Sequence, residues 1–255
     1  MRSLAVLGNL ARDVVDGGSP RAGGAPFYAA QALRATGSRA HIATKCAPAD
    51  RPLVQRLVAL GLPVTWHPAA STAAFTFTYE DGERRMVVDE LGEPWTPAEA
   101  RRDARAAWVH VAPLARSDFP AETVAALARA ARVSFDGQGL VRPARTGPLV
   151  LDGEFDPDLL RHVRVLKLAE EEAEVVGDLA ALGVPEIVVT LGARGSLVRW
   201  RGREERVAAQ PPRSVRDPTG AGDAFAVVYL TARATGHAPP VAARRASQVV
   251  AGLLR

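Results

Sequence analysis

Short β-rich apolar runs alternate along this chain with longer segments of helical period, and that alternation restricts the fold to a parallel sheet covered by helices. Residues 4–8 read as a first buried strand, 26–36 as a helix stopped by Gly37, and 39–45 as a second strand. A helix over 52–60, stopped by Gly61, repeats the unit, and further strands are predicted at 108–111, 133–136, 163–166 and 187–191. One stretch breaks the rhythm. Residues 73–79 and 83–89 have period two and are joined by Asp81-Gly82, a favoured hairpin turn, so they read as an antiparallel flap. Beyond residue 191 the pattern becomes two short strands, 196–200 and 204–208, and two closing helices, 224–234 and 241–254. No linker or repeat interrupts the 255 residues. One α/β domain over 1–255 is expected, with a lid contributed mainly by 70–92 and further by 10–24.

Composition narrows the function classes. Hydrophobic residues make up 47% and charged residues 24%, which excludes disorder and a fibrous chain. The apolar runs fall short of the roughly 18 to 20 residues that a bilayer span requires, and the first nine residues are too short for a signal sequence, so a cytoplasmic protein without a membrane partner is expected. Cys46 is the single cysteine and is read as a buried structural thiol. Net charge is only +4, the arginines are interleaved with acids, and aromatics are 5%, so no stacking platform for nucleic acid stands out.

The sharpest local feature is the run Asp217-Pro218-Thr219-Gly220-Ala221-Gly222-Asp223, followed at once by an apolar helix. Backbone N–H groups at a helix start lack intrahelical acceptors and carry partial positive charge, so they attract an anion that glycines allow to approach closely. An anion hole of Gly220, Ala221 and Gly222 beside the Asp223 carboxylate is what phosphoryl transfer to an alcohol requires. The acid takes the hydroxyl proton while the N–H groups stabilise charge on the transferring oxygens. Other catalytic patterns are absent. There is no GxxxxGK[ST] loop, no HExxH spacing among the five histidines, and no GxSxG elbow.

This run resembles the second signature of the ribokinase-like, or PfkB, carbohydrate kinase family, and further matches follow in order along the chain. They are Gly8-Asn9 with Asp13, Gly23-Gly24 before a helix, and Thr190-Leu191-Gly192-Ala193-Arg194-Gly195. The resemblance implies a three-layer α/β/α sandwich with a mainly parallel central sheet and a small antiparallel β lid. It implies Asp223 as catalytic base, Gly220, Ala221 and Gly222 as anion hole, and Asp13 and Gly24 as polyol-binding. Thr190, Gly192, Gly195 and Thr219 then lie near the nucleotide, with ATP and Mg2+ as the expected donor and metal and K+ as a further candidate near Asp217 and Thr219. Lys167, one of only two lysines, reads either as a point charge near phosphate or as a surface residue. Asp136, Gln138 and Arg142 follow a strand on the same rim as Asp13 and read as substrate-binding groups, for a polyol or an anion. Together with Gly8-Asn9 they are similar to the branch containing plant-type myo-inositol kinases. The flap is expected to add Thr76, Thr78 and Arg84 and to pair between subunits.

One departure concerns the metal. The family's Asn-x-x-Glu motif is matched at Glu172, but Ala169 replaces the Asn. Glu170 to Glu172 also read as acids favourable at a helix start. The favoured function is an ATP-dependent kinase for a sugar or cyclitol. A nucleoside or vitamin-precursor kinase on the same scaffold, and a non-catalytic binding relative, remain open at this level.

Overall fold

The computed structural model describes residues 2–80, 83–210 and 219–254; the Asp81-Gly82 turn, Asp217 and Pro218 lie outside them. Strand β1 (Arg2–Asn9) buries Leu4 to Leu7 completely, as a central parallel strand with both faces covered must. After Leu10 the chain leaves the main sheet as β2 (Ala11–Val15) and comes back through β3 (Arg21–Gly23) into helix α1 (Ala25–Ala35). Pro26 in the first turn of α1 lacks an N–H that would have no helical acceptor anyway. Strand β4 (Ala40–Cys46), helix α2 (Arg51–Val58) and strand β5 (Val64–Pro68) complete the first half of the main sheet. Strands β6 (Ala73–Glu80) and β7 (Glu83–Glu90) form the flap.

Helix α3 (Pro97–Asp103) starts at a reciprocal Thr96–Glu99 capping box, and β8 (Ala106–Val111) returns to the sheet. Then come α4 (Ala121–Ala128), β9 (Arg132–Asp136), the single turn α5 (Gln138–Val141) and the two-residue β10 (Gly147–Pro148). Strand β11 (Val165–Ala169) runs directly into α6 (Glu170–Val176). The last strands are β12 (Glu186–Thr190), β13 (Ser196–Trp200) and β14 (Arg203–Val207), and the closing helices are α7 (Ala221–Ala234) and α8 (Pro239–Leu253).

Among the described residues the main sheet has nine strands in the order β14-β13-β12-β11-β9-β8-β1-β4-β5. From β12 to β5 all pairs are parallel, while β13 and β14 pair antiparallel. Side chains alternate across each strand, so Leu4 and Val6 join one core with α1, α7 and α8, and Ala5 and Leu7 join the other with α3 and α4. These two cores on opposite faces make the three-layer α/β/α sandwich. Among the described residues no helix is long and apolar enough to cross a membrane.

The smaller sheet has the order β10-β7-β6-β2-β3. It takes in β10, outside the expected 70–92 and 10–24, and it departs from an all-antiparallel lid because β2 and β6 pair in parallel. The cause is topological: β2 continues from β1 and β6 from β5, and β1 and β5 run in the same direction. A second difference is β5 itself, which the sequence pattern did not reveal. Its Val64, Thr65 and Trp66 are only half-buried at the sheet edge, which weakens the apolar signal.

Candidate active site

Helix α7 begins at Gly220, whose φ of +79° is left-handed and whose Cβ, if it had one, would lie 2.2 Å from Cγ of Tyr28. Only glycine meets both conditions. No side chain caps this helix start. The N–H groups of Ala221, Gly222 and Asp223 therefore lie in a first turn without helical acceptors, and Asp223 adds a carboxylate beside them. Asp223 is half-buried and faces a cavity of about 190 Å³ at the carboxyl ends of the strands. Burial and the Asp136 charge push its pKa up to about 7, against the Lys167 and Arg142 charges, which lower it; Glu172 adds to the rise.

The same cavity is lined by Asp13, Gly24, Asp136, Gln138, Arg142, Lys167, Glu172 and Thr219. Asp13 is buried on β2. A Cβ on Gly23 would fall 1.9 Å from its carboxylate, so the glycine is what allows β3 to close against it. Asp136, at the end of β9, is buried and turned toward Lys167, with 3.3 Å between Oδ2 and Nζ. Its Oδ1 accepts the Gln138 N–H at 3.3 Å, which begins the α5 turn.

Lys167 is 7% exposed and is no surface leftover. Its Nζ lies 3.0 Å from where a Cβ of Gly222 would stand, directly against the start of α7. Burial opposes its charge, but the carboxylates of Asp136, Glu172 and Asp223 outweigh burial and raise its pKa. Glu172 is buried, and its Oε2 accepts the Ala169 N–H at 2.7 Å, capping α6. Burial raises its pKa against the Lys167 charge.

For Mg2+ the donor set is sparse. Ala169 offers no side-chain donor, one Glu172 oxygen is engaged in the cap, and no cluster of three ligating side chains exists among the described residues. Glu172, with the exposed Glu171 on the same wall, fits an ion carried in on donor phosphates and held by few protein groups. The K+ candidate site includes Asp217, which lies outside the described residues.

A second cavity of about 470 Å³ opens on the other side of the α7 start, lined by Lys167, Thr190, Gly192, Gly195, Ala221 and Gly222. Its far wall is apolar, from Phe225, Val250, Ala251 and Leu254. Thr190 donates to the Leu168 carbonyl at 3.2 Å, and Gly192 and Gly195 form the turn before β13. The two cavities share Lys167, Ala169, Glu171 and Gly222.

Apart from Asp217 and the flap residues, the fold thus brings the sequence-predicted site residues to two adjoining cavities. The flap behaves differently from expectation. Phe75, Phe77 and Met86 face the cavity, while Thr76 points to the other face, where it donates to Asp89 at 2.8 Å. Thr78 shares that outer face by alternation, and the Arg84 side chain lies outside what the structure describes. Sequence reasoning also missed Tyr28 and Leu114 as lining residues. The period-two pattern of Phe75 and Phe77 did carry the flap's signal, because the apolar face of a half-covered strand turns inward.

Comparison with known proteins places this geometry. Among solved structures, a pyrophosphate-dependent kinase of the ribokinase family, complexed with a pyrophosphate analog and myo-inositol, superposes with a TM-score of 0.87 at 23% identity, covering 99% of this chain and 95% of that one. A Burkholderia thailandensis nucleoside kinase in complex with inosine gives 0.76 at 21% identity, covering 98% and 90%. Arabidopsis thaliana ribokinase complexed with ribose and ATP gives 0.76 at 18% identity, covering 99% and 92%. These likenesses establish the ribokinase fold. The sequence itself matches the pfkB family carbohydrate kinase profile over residues 14–253, from the lid to the last helix. A fold of this kind with a family match spanning nearly its whole length leaves one assignment: the chain belongs to the pfkB family of carbohydrate kinases and is a phosphotransferase.

Proposed function

We propose that this kinase transfers the terminal phosphoryl group of ATP to a hydroxyl of a ring polyol, with a myo-inositol-like cyclitol favoured as acceptor. One observation carries the reading. Asp223 stands in the first turn of α7 on the wall of the cavity that also holds Asp13 and Gln138, while Gly222 of the same turn belongs to both cavities. An acceptor hydroxyl in the first cavity and a donor phosphate in the second meet across that turn.

Asp223 takes the hydroxyl proton as the oxygen attacks. The N–H groups of Ala221 and Gly222 and the Lys167 ammonium stabilise charge on the transferring oxygens, and no covalent enzyme intermediate forms. Asp13 accepts hydrogen bonds from acceptor hydroxyls and Gln138 adds contacts opposite, while Phe75, Phe77 and Tyr28 cover the apolar C–H face of a ring. Glu172 and Glu171 would hold a magnesium ion carried in on the donor phosphates, where it would supply charge neutralisation. The reading includes self-association of two copies through the lid, which sedimentation will report as a dimer.

The donor has a second reading. The apolar wall of the larger cavity suits a nucleobase and supports ATP. Pyrophosphate is supported by Ala169, which thins the metal site, and by the higher likeness to pyrophosphate-dependent kinases than to the ATP-complexed ribokinase. A phosphotransfer screen with cyclitols, hexoses, pentoses and nucleosides against ATP and pyrophosphate tests acceptor and donor together. Phosphorylation of cyclitols by ATP is the expected result. Turnover of nucleosides alone would overturn the acceptor assignment, and turnover with pyrophosphate alone the donor assignment.

A further inference from the structure

Five carboxylates line the acceptor cavity, from Asp13, Asp136, Glu171, Glu172 and Asp223, and among the described residues only two cations line it with them, Lys167 and Arg142. A phosphate donor adds more negative charge, so the cations decide whether it is tolerated. Lys167 is committed to Asp136. Arg142 is not. Its backbone is fixed by the N–H bond to Gln138 at 2.9 Å and by the Arg116 N–H donated to its carbonyl at 2.9 Å. Arg116 in turn is tied to the Leu140 carbonyl at 2.9 Å and to the Asp152 carboxylate. Among the described residues, however, the Arg142 guanidinium makes neither a hydrogen bond nor an ion pair.

That guanidinium opens on the acceptor cavity and on an adjoining groove of about 500 Å³ lined by Arg85, Met86, Glu171 and Glu172. Its charge acts on Asp223 and Glu172, the base and the acid on the metal side. A neutral hydroxyl gains little from an unspent full cation in that position, whereas a phosphoryl group with several charged oxygens matches the planar fork. We infer that Arg142 is a catalytic residue that holds the transferring phosphoryl group, opposite the first turn of α7, and is not a contact for acceptor hydroxyls as its place on the rim suggests. In the step, the bond from phosphorus to the leaving donor oxygen breaks with its electron pair staying on that oxygen. The bond to the acceptor oxygen forms, the hydroxyl proton passes to Asp223, and Arg142 forms no covalent bond.

This inference rests on the kinase reading above, and its test separates the two. Wild type, Arg142→Lys and Arg142→Gln are compared by calorimetry with myo-inositol alone and with pyrophosphate alone, and by turnover with ATP and with pyrophosphate. The lysine variant keeps charge and bulk, and circular dichroism confirms the fold of each. Expected are unchanged myo-inositol affinity, pyrophosphate affinity lower by about tenfold or more in the glutamine variant, and kcat lower by roughly a hundredfold. Partial recovery of an Arg142→Ala variant by added guanidinium ion is the further expected sign. Weakened myo-inositol binding with intact pyrophosphate binding and kcat would overturn the inference and return Arg142 to the acceptor. Wild type that binds pyrophosphate through Arg142 yet phosphorylates no polyol would keep the inference and reject the acceptor reading.

Discussion

At the scale of single residues, the chain's basic composition is informative because it is so one-sided. Only two of 32 basic residues are lysines, and both are buried at the carboxyl ends of parallel strands. Lys45 closes a structural network, 2.9 Å from Glu99 and 2.8 Å from the Pro94 carbonyl. Lys167 sits against the start of α7, beside the proposed base Asp223. Because Lys167 and Arg142 lower the Asp223 pKa while burial and Asp136 raise it, activity should increase with pH through about 7 as the base ionises. Lys167→Met removes one of the lowering charges, so the half-point of the kcat/KM profile should move to higher pH. A profile unchanged in position, with chemistry rate-limiting, would separate Lys167 from the base. Cys46 belongs to the structural side: burial and the nearby Asp50 charge push its thiol up to about 11, so it stays protonated at neutral pH.

Among the elements, the loop between β8 and α4 shows how a buried acid shapes the cavity wall. Asp118 is fully buried, and its Oδ2 accepts the Leu114 N–H at 2.7 Å and the Ala115 N–H at 3.4 Å, which presents Leu114 to the acceptor cavity. Burial pushes its pKa up to about 7 in spite of those bonds. The sign follows from linkage. A carboxyl whose folded pKa exceeds its unfolded value binds its proton first in the folded state, so it adds stability as pH falls from about 7 toward 4. Wild type should therefore gain stability over Asp118→Asn on acidification across that window, by up to about 1.4 kcal/mol per pH unit. Urea titrations at pH 8 and pH 5 check this, and a constant difference between the two proteins would contradict it. The α6 start is the counterpart on the opposite wall, where Glu172 Oε2 accepts the Ala169 N–H at 2.7 Å although Ala169 offers no side-chain donor of its own.

Across the whole molecule, the lid joins the acceptor cavity to the sandwich through its inward phenylalanines. Phe77→Ala should raise the acceptor KM by about tenfold and leave the donor KM unchanged, because the donor cavity contains no lid residue. Equal effects on both would show that the lid acts through the fold and not through contact. Much of this architecture is legible in sequence, since the buried strands and the Gly220–Asp223 turn are set by local periodicity and backbone needs. What stays hidden is set by tertiary pairing. Strand β5 is a half-buried edge, the β2–β6 pair depends on two distant strands running the same way, and Tyr28 becomes a site residue only because α1 packs on α7. Asp223 is the proposed base for phosphoryl transfer to a ring polyol. The most direct test of that role is the transfer of label from γ-labelled ATP to myo-inositol by wild type and Asp223→Asn at pH 8, with myo-inositol affinity measured on both by calorimetry. Expected are labelled inositol phosphate from wild type, a rate lower by roughly a hundred- to ten-thousand-fold in the variant, and near-equal affinity. A variant that keeps more than about a tenth of the wild-type rate, with chemistry limiting, would contradict that role.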